Sequence, residues 1–272
     1  MNLGFNAEHF TYTGTHVAPR WMLNLQPIAG HVVRVGTTTG YRNPSMFEQN
    51  GDIRIFSRLS NSTPLDWLMA PAGVLRPERF FTREVSYYGE IRPIALTVDA
   101  RAYDERATDL LRERGRGLPP GSELDSNNRA NIYENSQAGR LRGLEYQVRY
   151  RPVPTTWFMA TQAWQHVSSQ DAGLRRSVPV RSLGLHTAHR FDNGITVSAH
   201  HWRIGAQEWL GFGEAVPAYK RFDWRIGYDF RLGDHRAEVA LVTHNQGRPY
   251  QDYRLNYWLE RRLFATIRID SR

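Results

Sequence analysis

Phe222-Asp223-Trp224-Arg225-Ile226-Gly227-Tyr228-Asp229-Phe230-Arg231-Leu232 decides how the rest of the chain is read. Side chains on a strand point to opposite faces in turn. Phe222, Trp224, Ile226, Tyr228, Phe230 and Leu232 therefore share one face, and Asp223, Arg225, Gly227, Asp229 and Arg231 share the other. The same period of two recurs elsewhere. Ile94, Leu96, Val98, Ala100 and Ala102 alternate with Thr97, Asp99, Arg101 and Tyr103. Leu144, Tyr146, Val148 and Tyr150 alternate with Glu145, Gln147, Arg149 and Arg151. Leu263, Ala265, Ile267 and Ile269 alternate with Phe264, Thr266, Arg268 and Asp270.

Alternation alone describes a strand with one apolar and one polar face. A soluble sandwich turns the apolar face inward, and a membrane barrel turns it outward. Three features favour the barrel. The polar face is charged almost throughout, and aromatic residues sit toward both ends of the apolar one, as interfacial girdles require. The segments run to about ten residues, the length of a tilted strand crossing a bilayer, against about five or six for ordinary strands. Connections also alternate between short and long. The short ones are Glu90-Ile91-Arg92-Pro93, Arg151-Pro152-Val153-Pro154, Asp192-Asn193-Gly194 and Gly233-Asp234-His235, each with the proline, glycine or asparagine of a tight turn. The long ones cover 42–81, 104–140, 166–180, 204–218 and 245–256. Short periplasmic turns and long extracellular loops are the asymmetry of outer-membrane barrels.

Composition narrows the classes. There is no cysteine, which excludes a disulfide framework and a thiolate metal site. The net charge is +8, carried by arginine apart from Lys220. These cations are scattered among apolar residues rather than gathered on one face, which argues against nucleic acid as a partner. No apolar run reaches the roughly 18 residues of a transmembrane helix. Met1-Asn2-Leu3-Gly4-Phe5-Asn6 does not read as a secretory leader, so an export signal is expected upstream.

The pattern predicts about eleven strands, near 20–26, 31–41, 82–90, 94–104, 142–151, 156–165, 181–191, 195–204, 219–232, 236–245 and 259–270. Residues 1–19 are expected to be the tail of an extracellular loop. The first strand would run inward and the last would end at the periplasm. Bacterial barrels have an even number of strands, so an odd number of further strands is expected upstream.

Several segments, in order, resemble the barrel of a TonB-dependent receptor. His31-Val32-Val33-Arg34-Val35 leads to Tyr41-Arg42-Asn43-Pro44-Ser45-Met46-Phe47-Glu48, similar to the family's arginine-x-proline-serine-x-x-glutamate stretch through Arg42, Pro44, Ser45 and Glu48. Leu75-Arg76-Pro77-Glu78, followed by Glu84 in the next strand, resembles its leucine-x-proline-glutamate stretch. Gly143-Leu144-Glu145 resembles the opening of an inward strand. Val216-Pro217-Ala218-Tyr219 before Phe222-Asp223, and Asn245 with Tyr250 and Tyr253, resemble the last two landmarks. The family's barrel has about 22 strands, so residues 1–272 would be its second half, a partial barrel domain. The resemblance implies an outer-membrane receptor of Gram-negative bacteria for a scarce small molecule, such as a ferric siderophore, cobalamin or a glycan. Its implied partners are membrane lipid, the first half of the barrel, a plug, and TonB through that plug. This segment carries no plug or coupling box and is not expected to drive transport alone. Its end, Ile269-Asp270-Ser271-Arg272, departs from the family's usual terminal aromatic.

Arg112, Arg114, Arg116, Trp209 and Phe212 are candidate ligand contacts only, since cations and aromatic rings on outer loops could meet an anionic chelate. Solvated loop surface is the competing reading. His186, His189, His200 and His201 lie near one hairpin, but each neighbouring pair has opposite parity, so no metal site and no cofactor are expected. Ser198 with His200, and Asp99 with Arg101, share faces without forming a nucleophile and base, so the chain is not read as an enzyme. Tyr103-Asp104-Glu105-Arg106-Ala107-Thr108-Asp109-Leu110-Leu111-Arg112 has the composition of a short helix at a loop base. Two other readings compete: a passive porin-like or surface-binding barrel, and a soluble β-rich binding protein.

Overall fold

The computed structural model describes residues 1–58, 63–123, 128–210, 214–254 and 256–270. Strands β1 (Asn2–Phe10), β2 (Gly14–Ile28) and β3 (His31–Arg42) lead to a one-turn helix, α1 (Met46–Asn50), and two loop strands, β4 (Ile53–Ile55) and β5 (Asp66–Met69). Then come β6 (Glu78–Ile91), β7 (Leu96–Gly117), β8 (Arg129–Val153) and β9 (Thr156–Ser169), the short helix α2 (Ala172–Arg176), β10 (Arg181–Arg190) and β11 (Ile195–Ile204). The small pair β12 (Gln207–Glu208) and β13 (Ala215–Val216) precedes β14 (Tyr219–Leu232) and β15 (His235–His244). A second small pair, β16 (Tyr250–Gln251) and β17 (Trp258–Leu259), precedes β18 (Arg262–Asp270).

The long strands form one antiparallel meander in the order β1-β2-β3-β6-β7-β8-β9-β10-β11-β14-β15-β18. Each pairs with its neighbours along the chain, and β1 and β18 are the open edges. The sheet is a wall of a barrel, and it does not close within this chain.

All eleven expected strands are present, and a twelfth joins them. Residues 1–19 are not a loop tail. Asn2–Phe10 pairs in unbroken register with Gly14–Met22 across a tight turn at 11–13. Leu3, Phe5 and Ala7 carry the apolar face of β1. With twelve strands β1 runs outward and β18 inward, so the odd upstream count is no longer required. The expected helix at Tyr103–Arg112 is also overturned, and most of the expected loop 104–140 with it. Those residues continue β7, which runs for 22 residues against the 25 of β8. At about 3.4 Å per residue this hairpin outreaches an apolar band about 25 Å tall. A bulge at Asp109, with φ of 57°, lets the ladder continue past the membrane segment.

Burial decides which way the faces point. On β14, Ile226 is 45% exposed and Tyr228 46%, whereas Asp223 is 8% exposed. Asp223 is buried beside Arg221 and takes the Asn245 backbone N–H at 2.8 Å. Among the described residues no large side chain is fully buried. Among the described residues there is no apolar core between layers, the reverse of a sandwich. The charged face is the concave side and is knitted across strands by ion pairs, including Arg101–Glu84 at 2.7 Å and Arg225–Glu238 at 2.5 Å. The inner turns are tight, as expected. Asp192-Asn193-Gly194 turns on Gly194 at φ of 86°, a conformation that glycine adopts without a Cβ clash.

Candidate ligand-binding site

The outer ends of the strands gather the motif residues of the first loop. Arg42 ends β3 directly opposite Glu78, which opens β6. Its guanidinium donates through Nε and Nη2 to Glu78 at 2.5 and 2.9 Å, and through Nη1 to Glu48 at 3.0 Å. Glu48 and Ser45 form a capping box: the Ser45 N–H donates to the Glu48 carboxylate at 2.7 Å, and Ser45 Oγ accepts the Glu48 N–H at 3.1 Å. Burial opposes ionisation of Glu48. The Ser45 backbone N–H and the Arg42 guanidinium outweigh it and hold the carboxyl below its usual range. Glu78 also accepts the Leu111 N–H at 2.8 Å, tying β7 to the same point. The Pro44 carbonyl accepts from Gln49, and Pro77 sits half-buried before Glu78.

Lower on the concave face, Tyr103 lies opposite Gly143. Its hydroxyl donates to Glu145 at 2.9 Å and accepts from Gln165 at 2.8 Å. Arg101 packs against the Tyr103 ring at 4.9 Å and pairs with Glu84. Beside this group a cavity of about 470 Å³ is lined by Arg101, Glu145, Thr161, Ser182 and Trp202. The motif residues Glu84, Gly143 and Glu145 thus stand together, while Asp223, Asn245 and Tyr250 form a second group. There, Asn245 donates to the carbonyls of Leu259 at 2.8 Å and Arg248 at 3.1 Å, and Tyr250 stacks on Tyr219 with centroids 4.3 Å apart.

The candidate contacts Arg112, Arg114 and Arg116 fall at alternate positions on the outer part of β7, all exposed. Arg112 is ion-paired with Asp171, and Arg114 with Glu134 at 3.1 Å. Asp171 caps α2 through the Leu174 N–H at 2.7 Å. That bond, together with Arg112, holds its carboxyl below the usual range. At the far end of α2, Arg176 pairs with Glu208 of β12 at 2.6 Å. Next in sequence, Trp209 donates from its indole to the Asp252 carbonyl at 2.6 Å and meets Tyr253 edge-on at 5.8 Å. The β7 hairpin, the α2 loop and the loops carrying β12 and β16 are therefore lashed together in series. Phe212 lies outside the described residues.

Reading parity along single strands missed Tyr103 and Gln165 as partners of Glu145, and Trp202 as a wall of the cavity beside them. It also missed that His186 and His200 face one another across β10 and β11, their Nδ1 atoms 2.9 Å apart. His189 contacts Thr156 instead, and His201 lies on the outward face with Phe222. Among the described residues no three histidine or carboxylate groups converge. Only the strand register could have revealed these pairs.

An antiparallel meander with a charged concave face and an apolar convex one, carrying lashed loops at one end, defines an outer-membrane type of barrel wall. The sequence matches the model of the TonB dependent receptor-like, beta-barrel family over residues 1–242, and the chain belongs to that family. Among solved structures, it is similar to a mutant of the ferric enterobactin receptor PfeA from Pseudomonas aeruginosa in complex with enterobactin. The identity is 12% and the TM-score 0.73, over 97% of this chain and 42% of that one. It is also similar to the siderophore receptor PirA from Acinetobacter baumannii, at 15% identity and a TM-score of 0.66, covering 90% of this chain and 38% of that one. A third, BauA, the ferric preacinetobactin receptor from Acinetobacter baumannii, shares 13% identity with a TM-score of 0.62, over 93% of this chain and 36% of that one. The chain thus spans about two fifths of the length of these structures. No curated protein sequence matches it.

Proposed function

We propose that the chain is part of an outer-membrane receptor of a Gram-negative bacterium that admits a small anionic metal chelate of the ferric-siderophore class. Its energy would come from TonB through a plug belonging to the longer protein. The observation that carries the reading is the lashed rim above the polar wall. Arg114 and Arg116 stand exposed on the projecting hairpin, Trp209 is held in a neighbouring loop, and the cavity beside Arg101 and Trp202 lies on the concave face. Guanidinium groups and aromatic faces suit a chelate that is both anionic and planar in its ligand arms. The entry point would be the rim, and the concave wall would line the path inward.

Tryptophan fluorescence of the detergent-folded chain, titrated with ferric enterobactin, tests this. Saturable quenching is expected, weakened about tenfold in the R114A/R116A double variant, as for the loss of charge-assisted contacts worth ~1.5 kcal/mol. Equal quenching by iron-free enterobactin, or none by the ferric complex, would count against a ferric-chelate receptor.

A further inference from the structure

Parity within a strand separates His186 from His189 and His200 from His201. Register across strands brings two of the four together. His186 on β10 lies directly opposite His200 on β11, and His200 lies opposite Asp223, so both histidines share the concave face. Their Nδ1 atoms are 2.9 Å apart, so one donates and the other accepts. Both rings are half-buried and are held in place by their neighbours. Trp202 meets His186 edge-on at 5.3 Å and stacks on His200 at 5.6 Å. The His186 ring lies over Gly184, where a Cβ would meet its Nε2 at 2.8 Å. Arg221 in turn packs against the Trp202 ring at 5.1 Å.

The spacing of the two nitrogens is that of a metal bite. Imidazole nitrogens sharing one ion each stand roughly 2.0–2.1 Å from it. A nitrogen separation of 2.9 Å then corresponds to an angle of about 90° at the ion. A tetrahedral ion would hold the same nitrogens roughly 3.3–3.4 Å apart, given those bond lengths. The pair therefore fits adjacent corners of a square-planar or tetragonal sphere, the geometry of Cu²⁺, which also stands highest among the common divalent ions for nitrogen ligands. The chain has no cysteine to compete for it. Asp223, the next carboxylate in the row, is taken by Arg221 and the Asn245 N–H. The other corners face the lumen. Gly184 and Trp202 also line the cavity of about 470 Å³, so the histidines stand at its inner side.

We propose that His186 and His200 form a two-histidine site for a single Cu²⁺ ion on the concave wall. Each ring ligates through Nδ1. The hydrogen now on the donating Nδ1 moves to Nε2 of the same ring, so both ligands are neutral imidazoles and no proton is released. The remaining corners are open to water or to the donor atoms of a small chelator, so the ion is exchangeable; a structural ion has its sphere closed by protein ligands. Trp202 and Gly184 are positioning residues that fix the two rings. The inference is independent of which chelate enters at the rim.

The test is titration of the detergent-folded 272-residue chain with copper(II) chloride, followed by tryptophan fluorescence and by electron paramagnetic resonance. A single equivalent of Cu²⁺ should quench Trp202, whose ring borders both ligands, and give a tetragonal spectrum split by two imidazole nitrogens. H186Q and H200Q should each weaken binding at least about tenfold, since even the outer partners of metal ligands contribute that much. H189Q/H201Q, on the same hairpin but outside the pair, should leave binding intact. W202F should keep the copper spectrum and lose much of the quenching. Circular dichroism of each variant verifies that strand content is retained. Equal binding by the H186Q/H200Q double variant overturns the site. So does a spectrum with one nitrogen or none, or loss of the copper signal in H189Q/H201Q, because either places the ion elsewhere.

Discussion

Tyr103 occupies the space that a side chain on Gly143 would need: a Cβ built there would meet the tyrosine Cζ at 2.4 Å and its hydroxyl at 2.5 Å. The ring lies flat over its cross-strand partner so that its hydroxyl can reach both Glu145 and Gln165. Replacing Gly143 by alanine should swing the ring away and break both bonds, a cost of about 1–3 kcal/mol for a small-to-large change in a packed position. Urea-dependent unfolding would measure it. Adding Tyr103→Ala to the Gly143→Ala protein should restore part of the loss, because the two changes share one contact. Strict additivity would show that the ring and the glycine are independent.

Glu78 holds three things at once: the Arg42 guanidinium, the Leu111 N–H and the start of β6. It is 6% exposed. Glu78→Ala leaves Arg42 with Glu48 as its remaining acceptor and the Leu111 N–H with none, at a cost of about 1–3 kcal/mol. The loop between β3 and β6 should become markedly more sensitive to limited proteolysis while the lower barrel wall stays protected. Unchanged cleavage would mean that Glu48 alone can hold Arg42.

Asp171 predicts an acid transition in the outer loops. Its carboxyl is held below the usual range by the Leu174 N–H and by Arg112. A group whose folded pKa is depressed stabilises the fold fully above its unfolded value, about 3.9 for aspartate. That contribution is lost as pH falls from there through the lower folded value. Hydrogen exchange in the α2 loop should therefore be slow at neutral pH and rise below about pH 4. Asp171→Asn keeps a capping oxygen but removes the titrating charge, so its exchange should lose this acid step. A variant with the same step would assign the transition to another carboxyl.

Ile226 tests which side of the wall meets lipid. It is exposed on the convex face at mid-strand. In a bilayer, Ile226→Arg should cost about 2–4 kcal/mol, read from refolding into vesicles. On a water-facing surface the same change would be close to neutral, so a negligible effect would return the soluble reading.

Much of this was written locally. Period-two alternation from Phe222 to Leu232 marks the strand and both its faces, because strand geometry sends neighbouring side chains opposite ways whatever they pack against. The tight inner turns follow from Asn193-Gly194 and Gly233-Asp234 for the same local reason. Arg42, Ser45 and Glu48 were legible as a group because a capping box spans only a few residues.

What stayed hidden depends on partners distant in sequence. Tyr103–Arg112 is rich in residues that favour helix, yet pairing with β8 outweighs a propensity worth only tenths of a kcal/mol per residue. Asn2–Phe10 reads as a short polar tail until β2 supplies its ladder. The sequence by itself determined eleven of the long strands and the division of each into an apolar and a charged face, since each is a property of a few neighbouring residues. The tertiary structure alone decided that β1 exists, that His186 meets His200, that Gln165 reaches Tyr103, and that Arg106 and Arg140 stand side by side. Those are facts of register, and register is set by which strands meet, at separations that no local pattern spans.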